Sequence, residues 1–351
     1  MTWDVALILG IDGMANGAVY LLAGLGLVLI FSVTRVVFVP FGDVAAFAAL
    51  TLAAFEAGRL PPTVGLVLTL AALAVIAEVV GLVRRRQLAG IPRAVLGWGV
   101  LPALPCLLAW ALAGRQVPHA VLIATAILLV VPITPLVARV ALQPIADASV
   151  LVLLIASLAL HFLLSGLGLL FFGPEGSRTA PLAGGTLSLG GGFSVTAQAL
   201  LMMGAAVVLS AIFFLAFERT AIGKALRATA VNRVGARLVA IRPARTALLA
   251  YTFSSLLAGM IGVLVAPVTT MYYDSGFLIG LKAFVAAIIG GLVSYPLTAL
   301  GALAVGIVES FGSFWSGALK DVIVFSLLIP VLMIRSAMTR HSEEEVEEID
   351  Q

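Results

Sequence analysis

Long runs of apolar residues recur along the whole chain, and they constrain its fold more than any other feature. The 351 residues are 62% hydrophobic and only 11% charged, whereas a soluble domain carries about 25% charged residues. A globule this poor in charge lacks the polar side chains that would cover its surface in water, so lipid is the expected solvent. The sequence therefore predicts an all-α, polytopic bundle of transmembrane helices, each with about 20 apolar residues.

We predict eleven apolar segments, of which nine to eleven span the membrane. They cover residues 5–33, 41–58, 62–83, 95–113, 118–137, 148–172, 196–217, 246–266, 277–294, 297–317 and 321–335. The first is long enough to be tilted or kinked at a glycine. Its candidate kink sites are Gly13, Gly17, Gly24 and Gly26. Residues 277–294 and 297–317 form either two spans with a tight turn or a partly re-entrant pair.

Basic residues are shared unequally between the two sets of alternating loops. Fifteen of the twenty Lys and Arg residues fall in one set and four in the other, and Lys282 lies inside an apolar segment. Loops rich in Lys and Arg face the cytoplasm. The pattern predicts an N-terminus outside the cell and a cytoplasmic C-terminus.

Residues 1–340 are predicted to form one transmembrane domain, and residues 341–351 an acidic, disordered tail. Two polar loops interrupt the apolar pattern. The outer loop, residues 173–195, is rich in Gly, Ser, Thr and Pro, which predicts a flexible or turn-rich surface segment. The inner loop, residues 218–245, has seven basic residues and one acid.

The inner loop has helical periodicity, with basic residues such as Lys224 and Arg227 on one face. The apolar residues of the opposite face are Ile222, Leu226 and Ala230. Gly235 is expected to interrupt the helix. A basic, amphipathic, cytoplasmic helix suits contact with a partner protein or adsorption to anionic lipid.

Small residues recur at helical spacing in three apolar segments. The pairs are Gly13 and Gly17, Ala286 and Gly290, and Ala302 and Gly306. Such surfaces let helix backbones approach closely in lipid. The pattern predicts many helix–helix contacts without saying which helices touch.

No pattern of residues points to an enzyme, a metal site or a nucleic-acid surface. The only Gly-Lys pair, Gly223-Lys224, is followed by Ala225 and lacks the upstream glycine of a P-loop, so the chain is not expected to hydrolyse ATP. His119 and His161 lie far in sequence from other ligating residues, and we interpret them as structural or interfacial. No nucleophile–base pair is found.

Ionisable residues are rare inside the apolar segments, where a central charge costs about 2.5–3.5 kcal/mol. Asp43, Glu56 and Glu78 lie near segment ends and are predicted to sit at the membrane boundary. Lys282 and Glu309 lie deeper, where they either serve the pathway, form a buried pair or, for the lysine, snorkel. The candidate pathway residues are Asp43, Lys282 and Glu309.

Four stretches of the sequence carry a family resemblance. Residues 24–43, GLGLVLIFSVTRVVFVPFGD, resemble the first-helix motif of branched-chain amino acid ABC transporter permeases, and Arg227-Ala228 match the R-A motif of their cytoplasmic loop. Residues 280–310, GLKAFVAAIIGGLVSYPLTALGALAVGIVES, resemble a third block, and Lys320-Asp321-Val322 a fourth. The blocks follow the family's order and span most of residues 10–335.

The resemblance implies a permease subunit of an ATP-driven importer for branched-chain or related amino acids, or similar small polar solutes, in the bacterial inner membrane. It also implies a second permease subunit (related or identical), an extracytoplasmic solute-binding protein, and two cytoplasmic ATPases that bind ATP and Mg. The chain itself would need no cofactor. The residues expected to dock on the ATPase are Lys224, Arg227, Ala228, Asn232, Arg233, Gly235 and Ile241. The residues expected to contact the binding protein are Gly176, Ser177 and Arg178.

The sequence departs from the family's pattern at several positions. Val231-Asn232 stand where the family has an acidic pair, and residues 38–41 replace its Asn-Phe-Ala-His run. Residues 84–137 look longer than usual, as an inserted helical hairpin would make them.

Two other functions fit parts of the sequence. An ion-coupled secondary transporter would need carboxylates near the midplane and discontinuous helices, and Glu309 gives it some support. The other alternative is a membrane enzyme or a structural subunit. An enzyme would need a polar catalytic cluster at the membrane boundary, and no such cluster is found. Branched-chain amino acids are the family's usual solute, but other amino acids, urea, short amides and aromatic acids are also compatible.

Overall fold

A computed structural model describes residues 3–190 and 193–333, and helices dominate them. In chain order the helices are α1 (Trp3–Thr34), α2 (Phe41–Glu56), α3 (Thr63–Arg84), α4 (Leu88–Leu112), α5 (His119–Ile145), α6 (Val150–Phe172), α7 (Ala197–Arg219), α8 (Ala221–Val231), α9 (Arg233–Leu238), α10 (Pro243–Val265), α11 (Gly276–Ile289), α12 (Tyr295–Trp315) and α13 (Lys320–Ser326). Further helical turns follow over 328–333. The ten segments predicted between residues 5 and 317 each correspond to one helix, and within 321–335 the structure describes α13 and the turns over 328–333, which confirms the all-α bundle.

Eight of the helices in the described part of the chain are long and apolar enough to cross a membrane. They are α1, α3, α4, α5, α6, α7, α10 and α12. Helix α1 is the most enclosed of them, with 78% of its apolar window buried, whereas α4 and α7 lie at the periphery with 17% and 11%. The bundle is therefore organised around α1.

Helix α1 packs antiparallel on α12 with almost no space between the two backbones. A Cβ atom built on Gly306 would lie 2.3 Å from the carbonyl oxygen of Gly13, and one on Gly17 would lie 2.9 Å from the Cα of Leu303. The small residues predicted to mediate packing thus meet each other. Helix α1 runs without a break to Thr34, so the glycines offered as kink sites act as contact points instead.

Helices α2 and α11 both begin inside the bundle rather than at its surface. After α1 the chain turns back, and the Val39 N–H donates to Ser157 Oγ, 2.9 Å away and eight residues into α6. The first residue of α11, Gly276, abuts Gly42 in the first turn of α2, where a Cβ on either glycine would collide with the other's backbone. The two helix N-termini therefore meet in the interior.

From this junction the two helices run to opposite ends of the bundle. Helix α2 ends at Glu56, beside the first turn of α5. Helix α11 leads to a turn whose next residue, Tyr295, packs on Phe217 near the end of α7. With 14 residues, α11 is about 21 Å long. Residues 277–317 therefore form a half-length helix followed by the full-length α12.

We call the end of the bundle that carries α8, α9 and the last turns of α1 and α7 the basic end, and the other the opposite end. The opposite end carries the outer loop, in which β1 (Thr186–Gly190) pairs antiparallel with β2 (Phe193–Thr196). The sequence did not predict this hairpin. The predicted acidic tail, 341–351, lies outside the described residues, and the prediction of an inserted hairpin within 84–137 stays open.

The α1–α12 contact yields a stability prediction. We expect G306A to lower the free energy of unfolding by about 1–3 kcal/mol, since one added methyl group forces two close-packed backbones apart. Thermal unfolding of the purified protein in lipid nanodiscs would measure the loss. The matched control is G204A in α7, where a Cβ meets nothing within 4 Å, and there alanine should be neutral or stabilising by up to about 1 kcal/mol. Equal melting temperatures for G306A and wild type would contradict the packing argument.

Candidate coupling and translocation sites

Helices α8 and α9 form a compact element at the basic end, and its turns are set by side-chain caps. Thr220 caps α8 by accepting a hydrogen bond from the Gly223 N–H, 3.1 Å away. Asn232 ends α8 and caps α9, its Oδ1 accepting from the N–H groups of Val234 and Gly235, both at 2.9 Å. Such caps satisfy first-turn amides that have no partner within the helix.

The element is anchored to two central helices. Leu226 of α8 is 2% exposed and packs with Leu29 and Val33 of α1 and Ala250 of α10. Arg233 Nη2 donates to the carbonyl oxygen of Val33, 3.0 Å away in the last turn of α1, where a cation also complements the helix dipole. A displacement of α8 and α9 must therefore move the ends of α1 and α10.

The outward side of the same element mixes basic and apolar residues. Lys224 and Arg227 are exposed, and Arg227 pairs at 2.5 Å with Glu218, also exposed. Val231 and Leu238 are 86% and 84% exposed, which is unusual for residues of this size outside lipid or a protein contact. This surface has the composition of a docking face.

The structure brings the seven predicted coupling residues together in this one element. Lys224, Arg227 and Asn232 are exposed; Ala228, Arg233, Gly235 and Ile241 are half-buried. The predicted interruption at Gly235 is wrong, because the helix breaks at Asn232, whose capping side chain starts a new helix that contains Gly235. Ile222, predicted on the apolar face with Leu226, is 44% exposed and lines an apolar groove of about 200 Å³ between α7, α8 and α10.

Lys282 of α11 and Glu309 of α12 form a buried ion pair next to α1. Lys282 Nζ lies 2.5 Å from Glu309 Oε1, and Tyr20 donates its hydroxyl proton to Glu309 Oε2, also at 2.5 Å. Asp321 Oδ1 lies 2.8 Å from the same Nζ but lacks the angle of a hydrogen bond, so this contact is electrostatic only. Lys282 and Glu309 are 5% and 7% exposed. The lysine side chain is therefore buried and paired with a carboxylate, and it does not extend to the membrane surface.

Asp43 lies at the junction of α2 and α11 and is fully buried. Its Oδ2 lies 2.7 Å from His161 Nδ1 on α6, and the imidazole stacks on Phe277 of α11 with a centroid distance of 4.4 Å. The prediction of a boundary position for Asp43 is wrong, because the chain re-enters the bundle over 35–40 before α2 begins. Glu56 instead shares a hydrogen bond with His119, and Glu78 forms an ion pair with Arg139; both contacts remain partly exposed.

The three predicted binding-protein contacts lie at the opposite end, in the outer loop. Ser177 forms a two-way backbone bridge with Met271, and Arg178 Nε donates to the carbonyl oxygen of Pro267, 2.8 Å away. Gly176 sits so close to Tyr272 that a Cβ would lie 2.7 Å from its ring. These contacts fasten the loop to the segment that links α10 to α11.

Sequence reasoning missed Tyr20 as a partner of Glu309, Asp321 as a partner of Lys282, and His161 as the partner of Asp43. Each lies on a different helix from the residue that it contacts, so no spacing along the chain reveals the pairing. The signal that the sequence did offer was a lysine and a glutamate, Lys282 and Glu309, inside two successive apolar segments. Within residues 3–190 and 193–333, no group of three or more His, Cys, Asp or Glu is placed to hold a metal ion.

Comparison with known proteins agrees with this architecture. The family described as branched-chain amino acid transport system / permease component matches residues 10–334. The chain is 30% identical over 204 residues to the high-affinity branched-chain amino acid transport system permease protein LivH of Escherichia coli strain K12, and 29% identical to LivH of Salmonella typhimurium. Each alignment covers 56% of this chain and 66% of the relative.

A third relative, the permease protein BraD of Pseudomonas aeruginosa, is 36% identical over 124 residues, which is 34% of this chain and 39% of that protein. No solved structure matches the chain. The match across residues 10–334 and the apolar helices identify a multi-pass protein of the inner membrane and a transport component rather than an enzyme. The chain belongs to the family of branched-chain amino acid transport system permease components.

Proposed function

We propose that the chain is the permease subunit of an ATP-binding-cassette importer that carries branched-chain or related amino acids into the cell. In this proposal it pairs with a related permease or a second copy of itself, and two cytoplasmic ATPases bind ATP and Mg. An extracytoplasmic binding protein delivers the solute. The observation that carries the proposal is the α8–α9 element, a basic docking face fixed rigidly to the inner ends of α1 and α10.

The mechanism that fits this element is alternating access driven from the basic end. Closure of the ATPases on ATP would displace α8 and α9, and the Arg233–Val33 and Leu226 contacts would pass the displacement to α1. Because α1 packs backbone to backbone on α12, the two helices would move as one unit. Packed elements of this kind switch between discrete arrangements instead of deforming continuously.

The proposal assigns an orientation of the protein in the membrane and a route for the solute. The basic end faces the cytoplasm, in keeping with the excess of Lys and Arg in its loops. The opposite end, with Gly176, Ser177 and Arg178, receives the binding protein. Asp43, Lys282 and Glu309 would lie on or beside the pathway, because they place polar atoms in the interior of an otherwise apolar bundle.

An ion-coupled secondary transporter is the second candidate, and one specific observation favours it. A buried carboxylate, Asp43, lies at the junction of two helices too short to span the membrane, which resembles the discontinuous helices of transporters driven by ion gradients. Uptake into vesicles separates the two functions. The importer requires ATP and the binding protein, whereas the secondary transporter requires only an imposed proton or sodium gradient.

The docking face generates a first prediction. We expect the double variant K224E/R227E to lose the co-purifying ATPase and to reduce amino acid uptake about fivefold or more, the size of a typical coupling free energy. Both side chains are exposed, so folding should be unaffected, which gel filtration and thermal unfolding would verify.

The control is R115E, which makes the same kind of charge change at an exposed site of the opposite end. It should retain the ATPase. Normal ATPase association and uptake in K224E/R227E would rule out α8 as the coupling element.

The buried ion pair generates a second prediction. We expect K282M to lower the free energy of unfolding by about 3–5 kcal/mol, because it leaves carboxylates buried without their counter-charge. The double variant K282M/E309Q should recover most of that stability, since the glutamine can still accept the Tyr20 hydrogen bond. If the pair lies on the pathway, the double variant folds but transports poorly. Recovery of both melting temperature and uptake would assign the pair a purely structural role.

A further inference from the structure

The junction of α2, α6 and α11 holds polar atoms that the protein leaves without partners. Asp43 has an exposed fraction of 0%, and its Oδ1 accepts no hydrogen bond, although Oδ2 is engaged by His161. Ser165, one turn beyond His161 on the same face of α6, has a buried Oγ that is likewise unpartnered. A buried polar atom left without a partner costs free energy comparable to a lost hydrogen bond. The fully buried Asp43 Oδ1 therefore calls for a donor ligand, and Ser165 marks the next turn of α6 beyond His161.

The surroundings define which chemical group fits beside Asp43. A carboxylate oxygen only accepts hydrogen bonds, so the complementary group must be a donor. An ammonium group supplies both donors and the opposite charge. The first-turn N–H groups of α2 and α11 meet at the same junction, and helix N-termini favour a negative group. A zwitterionic amino acid carries an ammonium group and a carboxylate group on the same Cα atom, so it offers both complementary charges.

A cavity lies between this junction and the opposite end of the bundle, separated from Asp43 by one stacked pair of rings. A cavity of about 120 Å³ opens there between the outer half of α2 and the loop after α6, and Leu50, Ala53 and Phe172 are among its lining residues. Leu50 lies two helical turns after Asp43. Between them, Phe47 stacks on Phe172 with a centroid distance of 5.3 Å and closes the seam.

We propose that Asp43 Oδ1 binds the α-ammonium group of the transported amino acid in the seam between α2, α6 and α11, with Ser165, one turn beyond His161 on α6, close enough to report on occupancy. The solute enters from the cavity at the opposite end when the two stacked rings separate. This site rests on the proposed import function, but it makes a claim about binding that is measured without transport.

The experiment uses the full-length chain in nanodiscs together with the subunits that co-purify with it. Cys106 is the one cysteine of the chain, so C106A/S165C places a single thiol in the seam. Its rate of alkylation by a small maleimide is measured without ATP. We expect leucine, and also 3-methylbutan-1-amine, which keeps the amine but lacks the carboxylate, to slow labelling about tenfold. The desamino analogue 4-methylpentanoate should not protect.

Adding D43N to C106A/S165C should abolish protection by leucine, because the amide removes the charge while its oxygen can still accept the His161 hydrogen bond. The matched control is D12N, which removes a carboxylate of α1 whose contact is Ser310 on α12, away from the seam. It should leave protection intact. The proposal is overturned if S165C is never labelled, if leucine gives no protection, or if 4-methylpentanoate protects as well as leucine.

The same reagents test the binding site and the proposed import function independently of each other. Protection by leucine with no ATP-dependent uptake by the assembled complex would support the site and refute the importer. Uptake that requires ATP, together with an unprotected thiol, would support the importer and refute the site. In an uptake-competent complex, D43N should reduce leucine transport about tenfold or more, whereas D12N should transport as wild type does.

Discussion

Charge buried among apolar helices must be neutralised by the protein itself, and this constraint organises the bundle. The interior offers no bulk water, so each buried ionic group is stable only beside a partner of opposite charge or a hydrogen-bonding atom. Lys282 meets Glu309, and Asp43 meets His161. Each contact joins helices that are distant in sequence. The polar contacts thus fix which apolar surfaces face each other, while close van der Waals packing between the helices supplies stabilisation in lipid.

The second organising feature is the meeting of two helix N-termini inside the bundle. Gly42 and Gly276 allow it, because any side chain at either position would overlap the backbone of the other helix. The junction turns two apparent spans into half-length helices and places Asp43 and His161 away from both ends. Irregular backbone at this depth is tolerated only where protein surrounds it, and Phe38 and Val36, both nearly fully buried, satisfy that condition.

The two features suggest how a signal at the basic end can reach the interior. Helices α8 and α9 hold the ends of α1 and α10, and α1 runs past the Lys282–Glu309 pair through Tyr20. Helix α11 links that pair to the junction at Asp43, since it carries both Lys282 and Phe277. These contacts form a continuous path of packed helices, along which the proposed importer would pass a displacement.

Hydropathy determined the all-α class and the positions of the apolar helices, and the spacing of small residues determined their contact surfaces, because these are local properties of each segment in lipid. The amphipathic pattern of 218–245 likewise predicted the α8–α9 element and its basic face. Tertiary structure decided what no local pattern encodes: that Gly13 and Gly17 pack on Gly306, that Asp43 is central rather than at the boundary, and that Lys282 is paired. The reason is that partners such as Tyr20 and Glu309, 289 residues apart, are brought together only when the helices assemble.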